Sequence, residues 1–280
     1  MSNESVLTFS CPDRPGIVHA VTGAIARAGG NITESTQFGD DDSGRFLMRV
    51  QASGIDAESL RGSMDALAPE LELEYTLDDA DRPVRTLIMA SKEAHCLSEL
   101  LFRTREGTLP IDVVGVVANH PDLAPLAEFY NVPFHHIPVT AATKENAEEQ
   151  LLELVKEHDV ELVVLARYMQ ILSPAVCELL PGKVINIHHS FLPSFKGARP
   201  YAQAHTRGVK LIGATAHYVT ADLDEGPIIE QDVVRVRHDD SVLEMQAQGK
   251  DVERRVLARA VRWHAEHRVL LNGTKTVVFA

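Results

Sequence analysis

The sequence predicts an α/β protein of two unequal domains, a small βαββαβ domain followed by a doubly wound domain with a mainly parallel sheet. Near the amino terminus, β-type runs and helical periodicities alternate in the order of a split βαβ sandwich. An acidic stretch at 77–83, which ends in proline, then marks a change of pattern. Beyond it, near-continuous apolar β runs alternate with amphipathic segments, as is typical of a parallel sheet covered on both faces.

The first domain is predicted over residues 1–80. Helical spacing of Ile17, Val21 and Ile25 predicts a first helix at 17–28, and Gly29-Gly30 ends it. The other predicted elements are strands at 6–9, 31–38, 45–52 and 71–76 and a second helix at 57–67. We expect this order to give a small sandwich in which one face of the sheet is open.

The second domain is predicted over residues 85–280, after a linker at 81–84. Its apolar β runs are found at 86–90, 113–118, 134–138, 162–166 and 184–187. The clearest amphipathic helix, at 144–158, places Ala147, Leu151 and Val155 on one stripe. Beyond residue 210 we expect strands at 211–219 and 228–236, a long helix at 241–267 and a hairpin around Asn272-Gly273. Ligands of doubly wound sheets bind beyond the carboxyl ends of the strands, so residues 186–188 are expected at a site.

Composition narrows the class of protein. The 280 residues are 45% hydrophobic and 24% charged, which is ordinary for a globular protein with a real core. The net charge of -13 argues against a nucleic-acid partner. Three scattered cysteines do not make a disulfide framework or a zinc site. The amino terminus lacks the features of a secretory signal, and no apolar run reaches the roughly 18 residues that span a bilayer, so we expect a cytoplasmic protein without a membrane partner.

A candidate catalytic group lies at the end of the run at 184–187. Asn186 and His188 are two residues apart on a predicted strand, so their side chains share a face. Asn186 offers an amide donor, and His188 offers an imidazole that can titrate near neutral pH. Asp224, in the loop before Gly226-Pro227, could orient that imidazole. These three groups lack a strong nucleophile, and they suit direct attack on a carbonyl through a tetrahedral intermediate.

Spacing alone leaves other interpretations open. The Asn-x-His pattern is common, and Asp224 could be a simple turn residue. The paired histidines at 135–136 and 188–189 raise the alternative of a metal site. Adjacent strand residues point to opposite faces, however, and no cysteine or carboxylate completes a ligand set, so we expect no metal.

Several ordered motifs resemble the formyltetrahydrofolate-dependent formyltransferase family from about residue 85 to the carboxyl terminus. They are Asn186-Ile187-His188 and the segments 192–197, 213–219 and 222–229. The resemblance implies a Rossmann-like domain in which Asn186, His188 and Asp224 are catalytic and His217 lies near the formyl group. It also implies a folate pocket lined by Arg167, Tyr168, Met169, Leu172, Val219, Thr220 and Asp222.

Two departures from the transferases favour hydrolysis. Glycinamide ribonucleotide formyltransferases hold the substrate phosphate on a glycine-rich loop after their first strand, and the corresponding segment here, 90–98, has no glycine. In addition, His189 follows His188 where transferases usually have proline. Both features resemble formyltetrahydrofolate deformylase, in which water is the acceptor and the N-terminal domain is also present.

That resemblance implies a hydrolase of a linear amide C–N bond in one-carbon and purine metabolism. The substrate would be 10-formyltetrahydrofolate, the products formate and tetrahydrofolate, and no cofactor would be tightly bound. Two alternatives remain: transfer of the formyl group to another amine, and an amino-acid-binding regulator without activity.

The first domain resembles an ACT domain over roughly residues 4–80. The resemblance rests on Asp13-Arg14-Pro15-Gly16 and Gly29-Gly30-Asn31-Ile32. ACT domains often pair through their sheets and bind amino acids at the interface, which implies a homo-oligomer, either a dimer or a tetramer. An effector, glycine or methionine, would be bound by Asp13, Arg14, Gly16 and Asn31. The glycines could equally be turn and cap residues only, in a domain that serves oligomerisation alone.

Overall fold

The computed structural model describes residues 4–55, 57–193 and 200–280. The described chain divides into two compact units. One contains the residues up to Arg82 together with Trp263–Ala280, and the other is Pro83–Arg262. The first contains a small antiparallel sheet and the second a mainly parallel one, so the predicted α/β class is confirmed. None of the described helices is both long enough and apolar enough to cross a membrane.

The first unit is built on a four-stranded antiparallel sheet. Its strands are β1 (Glu4–Pro12), β2 (Asn31–Asp40), β3 (Arg45–Ser53) and β4 (Glu74–Asp79), and its helices are α1 (Ile17–Arg27) and α2 (Ala57–Leu71). The strand order β2-β3-β1-β4 and the element order are those of the predicted βαββαβ sandwich. The last strand begins three residues later than predicted, because α2 continues to Leu71 and ends where Glu72 adopts a positive φ of 53°.

The two faces of this sheet are both covered, so the prediction of an open face is wrong. One face packs under the helices through Leu7, Phe9 and Met48. On the other face, Leu47 and Arg49 are 0% and 2% exposed. The Arg49 guanidinium donates to the backbone carbonyl of Glu266 at 3.1 Å, so the carboxyl-terminal segment bonds to this face. The sequence places that segment far from the sheet, and no local pattern signals the pairing.

The second unit is built on a seven-stranded sheet. Its strands are β5 (Val84–Ala90), β6 (Ile111–Ala118), β7 (Phe134–His136), β8 (Leu162–Leu165), β9 (Val184–His188), β10 (Leu211–Tyr218) and β11 (Ile228–Arg235). The order is β11-β10-β9-β8-β5-β6-β7, in which β5 to β9 are parallel and β10 and β11 are antiparallel to their neighbours. All four residues of β8 are buried, as a strand covered on both faces requires.

Helices connect these strands, and a hairpin follows the last of them. The helices are α3 (His95–Arg105), α4 (Ala124–Phe129), α5 (Lys144–Glu157), α6 (Pro174–Leu179), α7 (Pro200–Arg207) and α8 (Val242–Ala265), with a 3-10 turn at Pro121–Leu123. The hairpin is formed by β12 (Val269–Asn272) and β13 (Lys275–Val278), as the Asn-Gly turn predicts.

The order of the strands places a site at one edge of the second sheet. From β5 the chain proceeds to β6 and β7 on one side and then crosses back to β8 and β9 on the other. The carboxyl ends of β5, β8 and β9 therefore meet at a switch point, where ligands of such sheets bind. Beside β9 runs β10, whose register sets His217 opposite Asn186. Side chains from two neighbouring strands are thus brought to the same edge.

Candidate active site

A cavity of about 240 Å³ opens at the carboxyl ends of β8 and β9. Much of its wall is apolar, built from Leu165, Met169, Ile171, Leu172, Val219 and Leu223. Its polar side chains include Arg167, Asn186, His188, His189, His217, Asp222 and Asp224. An apolar wall with a few converging polar groups suits a ring-bearing molecule whose reactive group is polar.

His188 and Asp224 form a largely buried pair. The imidazole Nδ1 lies 3.2 Å from a carboxylate oxygen of Asp224. The hydrogen bond from His188 lowers the pKa of Asp224, and burial opposes this only in part. The other nitrogen of the ring, Nε2, is buried and has no hydrogen-bond partner among the described residues. Since the carboxylate holds Nδ1, the nitrogen left to act on a substrate is Nε2.

Asn186 and His217 form a second pair across β9 and β10. The amide nitrogen of Asn186 lies 3.2 Å from Nε2 of His217. On the other side of that ring, Nδ1 lies 2.8 Å from the backbone carbonyl of Tyr218, which is positioned to accept its proton. Burial lowers the pKa of His217, although the bond to Tyr218 opposes it. A neutral ring protonated on Nδ1 therefore accepts from Asn186, fixes its amide and leaves a second amide hydrogen for a substrate.

The loop between β10 and β11 returns Asp224 to the strand ends. A close approach at Gly226 makes this return geometry possible, because a Cβ there would lie only 1.8 Å from the backbone carbonyl oxygen of Tyr218. The next residue, Pro227, accepts from the Tyr218 amide at 2.9 Å. Asp224 itself adopts a positive φ of 57°. The backbone of this loop, held against the end of β10, thus sets the position of the carboxylate.

The remaining predicted residues of this domain surround the same cavity. Its lining includes Arg167, Tyr168, Met169, Leu172, Val219, Thr220 and Asp222. The segment that follows β8 is fixed at Met169, whose amide donates to the Ser91 hydroxyl at 3.0 Å. Burial raises the pKa of Tyr168 to about 12, so its hydroxyl stays protonated at neutral pH. Of the motif at 192–197, only Leu192 and Pro193 fall within the described residues.

The predicted effector residues belong to the first unit. Asp13, Arg14 and Gly16 lie in the loop between β1 and α1, and Asn31 is the first residue of β2. The Arg14 guanidinium donates to the backbone carbonyl of Glu70. Gly16 precedes α1 with a φ of 97°, a conformation that favours glycine. A structural role alone therefore explains that glycine.

Glu253 is a buried residue near this site that the sequence analysis missed. It lies on α8 and is 1% exposed. A signal was present, because Val256, Leu257 and Ala260 follow it at helical spacing and are also buried. A glutamate on the apolar stripe of a helix requires partners, since a buried charge is costly unless it is paired.

Three side chains in the described part of the chain lie close enough to share a metal ion. They are His95, Cys96 and Glu253, whose ligand atoms lie within 4.8 Å of one another. Their chemistry does not favour one. The Glu253 carboxylate already faces the Arg167 guanidinium at 3.3 Å. Burial raises the pKa of Cys96 well above its ordinary value, whereas metal binding requires the thiolate.

The chain matches known proteins over nearly its whole length. Residues 84–261 match the family model of the formyl transferases, and residues 5–68 match that of the ACT domain. The formyltetrahydrofolate deformylase of Corynebacterium sp. (strain P-1) is 51% identical over 98% of this chain and 97% of its own length. The same-named protein of Bacillus subtilis (strain 168) is 46% identical over 98% of this chain and 93% of its own length.

Solved structures give the same grouping. The crystal structure of a formyltetrahydrofolate deformylase from Pseudomonas syringae pv. tomato has a TM-score of 0.96 at 47% identity, and the match covers 99% of this chain and 94% of that one. Glycinamide ribonucleotide transformylase 1 from Symbiobacterium toebii has a TM-score of 0.67 at 31% identity, and the match covers 71% of this chain and 95% of that one. The resemblance predicted from the motifs is confirmed, and the chain belongs to the formyltetrahydrofolate deformylase family.

Proposed function

We propose that this protein hydrolyses 10-formyltetrahydrofolate to formate and tetrahydrofolate. The observation that carries the proposal is the group of Asn186, His188 and Asp224 in a cavity with an apolar wall. That wall suits the rings of a folate, and the polar groups suit its formyl carbonyl. Membership of a family of deformylases that match this chain over nearly its whole length supports the same reaction.

In the proposed mechanism, His188 is the general base. Its Nδ1 hydrogen is donated to Asp224, at 3.2 Å, so Nε2 accepts a proton from water while the water oxygen attacks the formyl carbon. The free amide hydrogen of Asn186 is donated to the oxyanion of the tetrahedral intermediate. The C–N bond then breaks as the proton passes from Nε2 to the leaving nitrogen, which gives tetrahydrofolate and formic acid, and the acid releases its proton to solvent to become formate. Asp224 stabilises the imidazolium during these steps.

Water is favoured over an amine as the acceptor by the segment 90–98. It has no glycine, and two of its polar side chains already have partners within the protein. The Ser91 hydroxyl bonds to Asn119 at 2.7 Å, and His95 Nε2 lies 2.8 Å from the Glu253 carboxylate. A phosphate cradle requires close approach to backbone N–H groups, which glycine permits. This segment therefore does not suit an anchored phosphorylated amine.

The reaction is tested by incubating the protein with 10-formyltetrahydrofolate alone. We expect formate and tetrahydrofolate in equal amounts, whereas a transferase would release neither until an amine is added. Asp224→Asn is expected to lower kcat by about 10²–10⁴, because the amide no longer stabilises the imidazolium. Near-normal formate release by that variant would rule out the assigned trio.

We propose that no tightly bound cofactor takes part, and that the protein acts in the cytoplasm without a nucleic-acid partner. The chemistry above needs only water and side chains that donate and accept protons. Turnover is expected to survive dialysis against a chelator at full rate. A loss that added metal restores would contradict this part of the proposal.

We propose that residues 1–80 form a regulatory and oligomerisation domain, joined by a linker at 81–84 to a catalytic domain at 85–280, whose last segment, Trp263–Ala280, belongs to the first compact unit. The ACT match over residues 5–68 supports an amino-acid effector, glycine or methionine, bound near Asp13, Arg14, Gly16 and Asn31. The exposed Phe38 on the edge strand β2 supports pairing into a dimer or tetramer.

The regulatory role is tested by adding glycine or methionine to the protein. Either amino acid is expected to change the melting temperature and the turnover, and Arg14→Met is expected to remove both effects. No response from either amino acid would reject the regulatory role.

A further inference from the structure

Glu253 is the centre of a buried cluster that the proposed mechanism does not use. Its carboxylate accepts from the Tyr201 hydroxyl at 2.6 Å and lies 2.8 Å from His95 Nε2. The Arg167 guanidinium nitrogen Nε lies 3.3 Å from the same carboxylate. The partners come from α3, from α7 and from the segment after β8, while Glu253 lies on α8. One side chain therefore joins four separate parts of the unit.

The carboxylate is held in its charged form. Burial alone would raise the pKa of Glu253, but the hydrogen bond with His95 and the charge of Arg167 outweigh burial and lower it.

The cluster also depends on Gly249, one helical turn before Glu253. A Cβ at Gly249 would lie 2.0 Å from the Tyr201 hydroxyl oxygen, so this glycine lets the tyrosine lie against α8. Two positions of α8 therefore serve the cluster: Glu253 supplies the carboxylate, and Gly249 leaves room for Tyr201.

Arg167 connects this cluster to the cavity. It lines the cavity and adopts a positive φ of 63°, a backbone conformation that is uncommon outside glycine. Two anchors hold its segment in place, namely the Glu253 carboxylate and, two residues later, the Ser91 hydroxyl that accepts from Met169. A strained conformation persists only where the surroundings fix it, and such positions are concentrated at functional sites.

His189 lies beside these groups and also lines the cavity. Its ring stacks on that of His188 with centroids 5.2 Å apart and approaches the Tyr201 ring at 6.4 Å. Burial, followed by the charge of Arg167, lowers its pKa to about 4, so it is neutral at neutral pH. Arg167 can only donate hydrogen bonds, whereas a neutral imidazole can accept one. Together with His188 Nε2 they offer the mixture of partners that an ordered water requires.

We infer that Glu253 is a positioning residue for the attacking water. Through Arg167 it fixes the part of the cavity, next to His188 and His189, in which that water is bound. This inference rests on the proposed hydrolysis, because a transferase would place an amine there. A role in folding alone is the competing explanation, since removal of one partner of a buried ion pair destabilises a protein whatever its function.

Two variants separate these explanations. Glu253→Gln keeps the size of the side chain and leaves the Arg167 charge without its partner. Adding Arg167→Met removes both charges, and the amide introduced by Glu253→Gln can still accept from Tyr201 and donate to His95. Replacing both charges of a buried pair often leaves stability intact, so the double variant is expected to melt near the wild-type temperature. Asp251→Asn, the same kind of exchange at an exposed position on α8, is the matched control.

The measurements are kcat and KM for 10-formyltetrahydrofolate, with melting temperatures alongside. We expect Glu253→Gln to lower kcat by up to about 10²-fold, because misplacement of the attacking water slows the reaction, with KM little changed. The double variant should regain stability but not kcat, and Asp251→Asn should match the wild type. If Glu253→Gln is insoluble, the same measurements are made on the double variant and on Tyr201→Phe, which removes one hydrogen bond to the carboxylate. A loss of kcat in both, with KM little changed, is then the expected result.

Recovery of kcat together with stability in the double variant would overturn the inference. The loss of kcat in Glu253→Gln would then come from the unpaired, buried charge of Arg167 and not from a misplaced water. A rise in KM with kcat unchanged would overturn it as well, since Glu253 would then act on folate binding. Failure of the proposed function gives a different result. In that case the wild-type protein itself would release no formate without an added amine.

Discussion

Gly226→Ala tests whether the backbone packing of one loop places the carboxylate of Asp224, which is catalytic in the proposed mechanism. The Cβ of alanine would lie 1.8 Å from the backbone carbonyl oxygen of Tyr218, whereas real Cβ contacts essentially never fall under 3.0 Å. The loop or the strand must therefore shift by about 1.2 Å. Tyr218 ends β10, which is paired on both sides, by β9 and by β11. The loop is therefore expected to move, and the strand to stay in place.

The shift is expected to reach Asp224, two residues before the substituted position. Its carboxylate lies 3.2 Å from His188 Nδ1, so a displacement of this size in the wrong direction breaks the hydrogen bond. Misplacement of a catalytic group by about 1 Å can cost about 10²-fold in rate. Overpacking of this kind typically costs about 1–3 kcal/mol in the free energy of unfolding. We expect a fall in kcat that exceeds what the loss of folded protein explains.

The assay is formate release at saturating substrate, with the folded fraction determined from urea unfolding of the same preparation. Gly62→Ala is the matched control, because it lies within α2 and a Cβ there meets nothing within 4 Å. That exchange is expected to stabilise the helix by up to about 1 kcal/mol and to leave kcat unchanged. A Gly226→Ala protein with kcat within twofold of the wild type would refute the argument that this loop places Asp224.

Three further substitutions test separate parts of the structure. His189→Gln should flatten the acid dependence of stability. In the wild-type protein, the pKa of His189 is about 4 in the folded state against an ordinary value of 6.5. As pH falls through that range the unfolded chain is protonated first, so the free energy of unfolding decreases by up to about 3 kcal/mol. Urea unfolding at pH 7 and pH 5 measures the slope. Thr215→Val removes a buried hydroxyl that bonds the segment after His189 at Ser190 and Leu192, and it should lower the free energy of unfolding by about 1–3 kcal/mol in thermal melts. Arg268→Met removes the bonds to Glu34 and Phe279, so hydrogen exchange at 269–280 should accelerate.

The order of elements could be predicted because each one has a local pattern. The 3.6-residue spacing of Ile17, Val21 and Ile25 lies within one helix, and the apolar run of β8 lies within one strand. The relation of Asn186 to His188 was predictable for the same reason, as both lie on β9. The successful sequence-based predictions therefore rest on residues that are separated by only a few positions.

Pairings between distant segments could not be predicted from periodicity. His217 reaches Asn186 only through the register of β10 on β9, and the motifs alone suggested that the two act together. Helical spacing indicates that Glu253 is buried, but its partners His95 and Arg167 come from distant parts of the chain, so the sequence does not identify them. Adjacent apolar residues at Leu47 and Met48 lie on opposite faces of β3 and are both buried, so both faces are covered there. Nothing nearby in the sequence identifies the covering segment.

Three histidines line one cavity, and their surroundings give them different tasks. His217 is held neutral by burial, with Nδ1 bonded to a backbone carbonyl, so in the proposed mechanism it orients Asn186 and takes no proton from water. His189 is also neutral, because burial and Arg167 both oppose its protonation. His188 differs from both in facing the Asp224 carboxylate through Nδ1 at 3.2 Å, which leaves Nε2 to exchange a proton with water and substrate. With two rings kept neutral, the proposed mechanism confines the proton taken from water to the third ring.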